Sequence, residues 1–144
     1  MTSHVLVIDD DFAVTELLDL LLKSHGFRVS TCNRAVEGLE IVREQKPDIL
    51  ILDLMMPEMD GWEACRAIRA FSNIPIMILS ALNDPDLVAR ALDLGADDYL
   101  TKPTSAGVMI AHINKLVRRT GGLRLPANVT GPLLPGTQPL PSST

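Results

Sequence analysis

Aromatic side chains are scarce: one Trp, one Tyr and three Phe make up 3% of the 144 residues. Any core must therefore be aliphatic, and an apolar content of 47% can supply it. With 22% charged residues this is ordinary globular composition, which excludes global disorder and a collagen-like chain. Cysteine is nearly absent. Cys32 and Cys65 stand far apart with no CxxC partner, which excludes a disulfide scaffold and points to two reduced core thiols in a cytosolic protein. No apolar run approaches the roughly 18 residues of a membrane span. Met1-Thr2-Ser3-His4 puts no basic stretch before the first apolar run, so no signal peptide is expected. A chain this long buries roughly 68–70% of its unfolded surface, enough for one domain without a metal or disulfide.

Acidic residues are missing altogether after Asp98. All 18 lie at or before it, with eight of the 13 basic residues, so residues 1–98 carry −10. Residues 99–144 carry +5, from Lys102, Lys115, Arg118, Arg119 and Arg124. An acidic body argues against direct nucleic-acid binding by this segment. Clustered acids also invite a divalent cation.

Three apolar runs are present: Val5-Leu6-Val7-Ile8, Ile49-Leu50-Ile51-Leu52 and Ile76-Met77-Ile78-Leu79. Each is continuous rather than alternating, as in parallel strands covered on both faces. Weaker strands fit 27–32 and 98–101. Helical patterns lie between them. The first carries Leu17, Leu18, Leu21 and Leu22 and stops near Gly26; the second carries Val36, Leu39, Ile41 and Val42 and ends before Pro47. Trp62, Cys65, Ile68 and Arg69 mark a third. Leu87, Val88, Ala91, Leu92 and Leu94 mark a fourth, ending at Gly95. A fifth runs from Val108 to Val117, with Lys115, Arg118 and Arg119 where the helix dipole favours cations. Strand and helix alternate five times, which predicts an α/β fold: a doubly wound (βα)5, flavodoxin-like parallel sheet of strand order 2-1-3-4-5. Residues 1–119 form this domain. Residues 120–144 hold five of the ten prolines, four of the nine glycines and a single charge, a linker or tail composition. Leu123, Leu125, Val129, Leu133 and Leu134 are unusually apolar for such a tail.

Active sites of wound sheets form beyond the carboxyl ends of the strands. Asp9-Asp10-Asp11 follows the first strand, Asp53 the third, Ser80 ends the fourth, and Lys102-Pro103 follows the fifth. Strands one and three are neighbours in the expected order, so their acids share a pocket. Carboxylates so close repel, and either one takes up a proton or a cation sits among them. Mg2+ suits one or two carboxylates and keeps waters that leave room for a phosphoryl group. A carboxylate can also be a covalent nucleophile, with Lys102 and Ser80 facing the phosphoryl oxygens. Taken singly, each residue has a plainer reading: Asp9 or Asp10 as a cap of the first helix, Asp53 as a solvated strand-end acid, Ser80 as a turn residue, Lys102 as a surface lysine.

Four segments together resemble the receiver domain of two-component response regulators. They are Val5 to Asp11, Asp53-Leu54-Met55-Met56-Pro57-Glu58-Met59-Asp60-Gly61, Leu79-Ser80-Ala81, and Gly95-Ala96-Asp97-Asp98-Tyr99-Leu100-Thr101-Lys102-Pro103. The resemblance covers about residues 4–119. It implies a cytoplasmic signalling module that takes a phosphoryl group from a sensor histidine kinase or phosphotransfer protein. Asp53 would be the phosphoacceptor. Asp10, Asp53 and the backbone carbonyl of Met55 would hold Mg2+ directly, with Asp9 acting through a bound water. Lys102 and Ser80 would pair with the phosphoryl group, Pro103 would follow a cis bond, and Tyr99 would be the aromatic switch. The surface of the fourth helix, fifth strand and fifth helix would change with phosphorylation and be read by partners, a homodimer among the options. No membrane partner is expected, and an output domain beyond a truncated linker is favoured over a stand-alone receiver.

The chain departs from the pattern of many transcription-factor receivers. Thr104 stands where they have Phe, Val108-Met109 where they have Glu-Leu, and Ala111-His112 where they have Ala-Arg. A salt-bridged dimer through the fifth helix is therefore in question. Val108, Met109 and Ile113 are expected in the core or in a more apolar contact, and His112 as a surface histidine. Met55 and Leu82, both apolar, would flank the phosphoryl group without positioning water, which implies slow hydrolysis. Two other readings remain: a true phosphatase using an aspartyl nucleophile, and a receiver-like scaffold that binds partners without phosphate. Against the first, Met55 occupies the position where such enzymes place a second acid.

Overall fold

The computed structural model describes residues 2–120; the expected tail, with Leu123, Leu125, Val129, Leu133 and Leu134, lies outside the described residues. Ten elements alternate: β1 (His4–Ile8), α1 (Phe12–Ser24), β2 (Arg28–Cys32), α2 (Ala35–Gln45), β3 (Ile49–Leu52), α3 (Gly61–Arg69), β4 (Ile76–Ser80), α4 (Pro85–Asp93), β5 (Asp98–Thr101) and α5 (Ala106–Thr120). All neighbouring strands pair parallel, in the order β2-β1-β3-β4-β5. This is the doubly wound sheet that the alternation of patterns predicts.

The continuous runs have a direct cause. Alternate side chains of a strand point to opposite faces, and here both faces are covered. Leu6, Ile8, Leu50, Leu52, Ile76 and Ile78 enter one core, under Val42, Ala64, Ile68 and Ala91 of α2, α3 and α4. Val5, Val7, Ile49, Ile51, Met77 and Leu79 enter the other, under Leu18 and Leu22 of α1 and Met109, Ile113 and Leu116 of α5. Most of these are fully buried, and each such side chain contributes about 1.5–3 kcal/mol. The edge strands β2 and β5 are covered less, which is why their sequence signal is weak.

Helix starts follow capping chemistry. Asp11, not Asp9 or Asp10, caps α1 by accepting from Ala13 N. Asp60 and Glu63 form a capping box on α3, and Asp84 caps α4 ahead of Pro85. Gly26, with φ of +91°, turns the chain after α1. α5 is longer than its apolar pattern, running from Ala106 to Thr120. Met109 and Ile113 belong to the core, whereas Val108 is 45% exposed.

At the amino ends of β4 and β5, charged groups are closely matched. Arg69 donates to the carbonyls of Gly95, Ser72 and Ile74 at 3.0, 3.2 and 2.7 Å. Its remaining nitrogen meets Asp97 at 2.9 Å. Asp97 also accepts from Ile76 N and from Arg119, both at 2.8 Å. One carboxylate thereby ties β4, α3 and the last turn of α5.

Candidate functional site

The parallel sheet delivers the ends of β1, β3, β4 and β5 to one rim. Asp9 follows β1 and is 3% exposed; Asp53 follows β3 and is 7% exposed; Ser80 closes β4 and is fully buried. Asp10 is exposed beside them. Asp9, Asp10 and Asp53 each offer a carboxylate oxygen within 4.8 Å of the others. Lys102, beyond β5, places Nζ 2.8 Å from Asp9 Oδ2 and 3.9 Å from Asp53 Oδ1. These groups lie up to 93 positions apart in the chain.

Backbone geometry fixes each acid. Asp9 Oδ1 accepts from Asp11 N at 2.9 Å, and Asp53 Oδ1 accepts from Leu54 N at 2.9 Å. Lys102 N donates to Ser80 O at 2.8 Å, which holds the β5 end against β4. The Lys102–Pro103 peptide bond is cis. Gly61 has a role that its place in the sequence motif does not reveal. A Cβ there would stand 2.5 Å from Asp53 O and 2.6 Å from Leu54 Cα, so only glycine lets α3 start against the Asp53 backbone. Gly61 N donates to Leu54 O at 2.9 Å in the same contact.

The rim holds more negative charge than its surroundings neutralise. Burial, and then the neighbouring Asp9 charge, push the Asp53 carboxyl above the usual carboxylate value. Lys102 and the backbone N–H groups of Met55 and Leu54 oppose that push without cancelling it. A cation bound among the three acids would relieve the remainder. The donor set, all hard oxygen, fits Mg2+.

Ser80 and Tyr99 are linked through the β4–α4 loop. Ser80 Oγ accepts from Leu82 N at 3.2 Å, and the Tyr99 hydroxyl donates to Leu82 O at 2.6 Å. Tyr99 is half-buried, packed against the core under α2, α3 and α4. Burial first, and the Asp53 charge after it, raise its phenol above the ordinary value, while contact with Ser80 acts in the opposite sense. Met55 is 58% exposed at the mouth of the site, where a cavity of about 410 Å3 is lined by Asp10, Met55, Asp60 and Trp62.

His112 is partly exposed and paired: its Nδ1 meets Asp98 Oδ2 at 2.5 Å. Arg119 pairs with Asp97, while Arg90 lies over the Trp62 ring, 4.7 Å from its centre. Cys32 and Cys65 are buried free thiols, and burial raises both, Cys32 to about 11. Among the described residues no helix is long and apolar enough to cross a membrane.

Known proteins share both pattern and architecture. Residues 5–114 match the family model of the response regulator receiver domain. Transcriptional regulatory protein AfsQ1 of Streptomyces coelicolor is 44% identical over 115 residues, covering 80% of this chain and 51% of that protein. DNA-binding response regulator MtrA of Mycobacterium tuberculosis is 39% identical over 119 residues, covering 83% and 52%. The chain thus spans about half the length of the curated relatives it matches. Among solved structures, a two-component response regulator from Clostridium difficile superposes with a TM-score of 0.80 at 27% identity, over 83% of this chain and 99% of that one. The BeF3-activated N-terminal receiver domain of Klebsiella pneumoniae RstA gives 0.77 at 30% identity, over 80% and 98%. A wound sheet of order 2-1-3-4-5 with acids, serine and lysine on its carboxyl rim, together with a family match over most of its length, makes this chain a member of the response regulator receiver domain family of two-component signalling.

Proposed function

We propose that this domain accepts a phosphoryl group on Asp53 from a sensor histidine kinase or phosphotransfer protein, and that it works as a switch rather than as a turnover enzyme. One observation carries the reading: Asp53, Asp9, Asp10 and Lys102, remote in sequence, converge on one rim whose negative charge is not balanced. Asp10, Asp53 and the Met55 backbone carbonyl would hold Mg2+, with Asp9 reaching it through water. When bound, Mg2+ supplies positive charge on the phosphoryl oxygens. An Asp53 carboxylate oxygen attacks phosphorus, the P–N bond to the donor histidine breaks, and its electron pair returns to the imidazole. Lys102 leaves its bond to Asp9 to meet the new charge, and Ser80 donates to a phosphoryl oxygen. Met55 and Leu82 beside that group cannot orient an attacking water, so the phosphoryl group is long-lived.

Signalling would follow from satisfying the new oxygens. Ser80 is bonded to Leu82, the loop residue that holds the Tyr99 hydroxyl, and Lys102 directly follows the strand that carries Tyr99, so their movement favours a second arrangement of α4, β5 and α5. Leu92 and Val108, 44% and 45% exposed on α4 and α5, give that face an apolar component suited to a partner protein or a second copy. The relatives named as transcriptional or DNA-binding regulators support control of a DNA-binding output, and such an output would place the switch in the cytoplasm.

Acetyl phosphate with Mg2+, followed by mass measurement, tests the reading. One phosphoryl group per chain is expected, lost in Asp53→Asn. Continuous release of phosphate would indicate a phosphatase, no uptake would indicate a scaffold, and full labelling of Asp53→Asn would overturn the site.

A further inference from the structure

The acid turn between β1 and α1 is held from outside the site by a residue with no place in the proposed chemistry. Asp9 N extends the sheet ladder by donating to Cys32 O at 3.2 Å. The next residue, Asn33, answers with its side chain: Nδ2 donates to Asp9 O at 2.8 Å and to Thr15 Oγ1 at 3.1 Å. Thr15 is 2% exposed, and its hydroxyl donates onward to Phe12 O at 3.0 Å. Both main-chain groups of Asp9 are thereby fixed to the end of β2, and the first turn of α1 is locked to the same amide. Asp10 has no comparable support of its own: among the described residues no hydrogen bond or ion pair restrains its carboxylate. Its position relative to Asp53 is set by the backbone on either side of it. We propose that Asn33 and Thr15 form a positioning pair that holds the Asp9-Asp10 turn at the spacing a divalent cation needs.

The inference rests on the cation site proposed above, and it assigns the affinity of that site to two residues that do not touch it. Supporting partners behind metal ligands typically change affinity by about 10–100-fold when removed. Magnesium chloride titrated calorimetrically into the whole chain measures this, with thermal unfolding in chelator run on the same samples. Asn33→Ala and Thr15→Val, the latter near-isosteric, should each weaken Mg2+ binding about 10-fold. Thr15→Ser, which keeps the hydroxyl, should restore binding to within about twofold of the parent chain. The double variant should weaken binding by less than the product of the two single effects, because both act on one turn. Lowered unfolding temperature with unchanged Mg2+ affinity in Asn33→Ala and Thr15→Val would reduce the pair to a scaffold and overturn the inference, leaving the cation site intact. Absence of Mg2+ binding by the parent chain would overturn both.

Discussion

The two ends of the sheet handle charge in opposite ways. At the amino ends of the strands, one carboxylate, Asp97, faces two guanidinium groups and a backbone N–H, and every partner is satisfied. At the carboxyl ends, three carboxylates crowd around one ammonium group that pairs with only two of them, and burial holds Asp53 above its ordinary value. The first arrangement stabilises the fold. The second costs stability in the absence of a cation, and that unmet negative charge is what a metal ion can use. A single sheet can hold both because one end secures the frame on which the other is strained.

Substitutions should separate the ends by sign as well as by size. The largest effect belongs to the matched end: Asp97→Ala leaves Arg69 Nη2, Arg119 and Ile76 N without this acceptor and should cost about 3 kcal/mol in denaturant unfolding. A loss under about 0.5 kcal/mol would mean that this network behaves as a solvated surface pair. Gly61→Ala, at the strained end, forces a methyl group against the backbone of Asp53 and Leu54 and should cost about 2 kcal/mol. It should also slow acetyl phosphate labelling, whereas normal labelling would show that the Asp53 backbone tolerates the shift.

Asp53→Asn should act in the other direction. The fold raises the Asp53 carboxyl value, so it favours the protonated form. That contribution is complete below the unfolded value of 3.8 and is lost as pH rises through the folded value. At neutral pH the charged group opposes folding, and a neutral amide should raise the unfolding temperature in metal-free buffer. A lower temperature would mean that the rim is electrostatically relaxed.

The smallest effect concerns the one imperfect polar group at the matched end. His4 is 5% exposed, its Nε2 meets Ser30 Oγ at 2.7 Å, and its buried Nδ1 has no partner. Burial first, then the charge of Arg28, lowers its value, with Asp48 acting the other way. As pH falls through the unfolded value of 6.5, the unfolded chain takes a proton that the fold resists, so stability should decline. His4→Gln should flatten that decline in an unfolding series from pH 8 to about 5; an unchanged slope would place the titration elsewhere.

Sequence legibility tracks burial. β1, β3 and β4 read clearly because both faces are covered and nearly every residue is apolar. β2 and β5 are edge strands with polar, partly exposed residues, so their periodicity is faint. The rim acids and Lys102 were readable because each directly follows a strand, and parallel strands must end together. The plainer reading of Asp9 or Asp10 as the cap of α1 does not hold: any of three successive aspartates can serve, and only backbone geometry selects Asp11. Gly61 entered only as the last residue of a motif, since a close approach between α3 and β3 leaves no trace in composition. Asn33 did carry a signal, a polar side chain at the end of β2 on the functional rim. The pairing of Asp98 with His112 needed the packing of α5 on β5 to become visible.

The contrast between the two ends is tested most directly by the unfolding temperature as a function of Mg2+ at constant ionic strength, for the parent chain, Asp10→Asn and Asp97→Asn. A ligand that binds only the folded state stabilises it in proportion to the logarithm of its concentration. The parent chain and Asp97→Asn should climb together, from different starting temperatures, and Asp10→Asn should stay nearly flat. Equal climbs in all three, or none in the parent chain, would contradict a carboxyl rim built to take up a divalent cation.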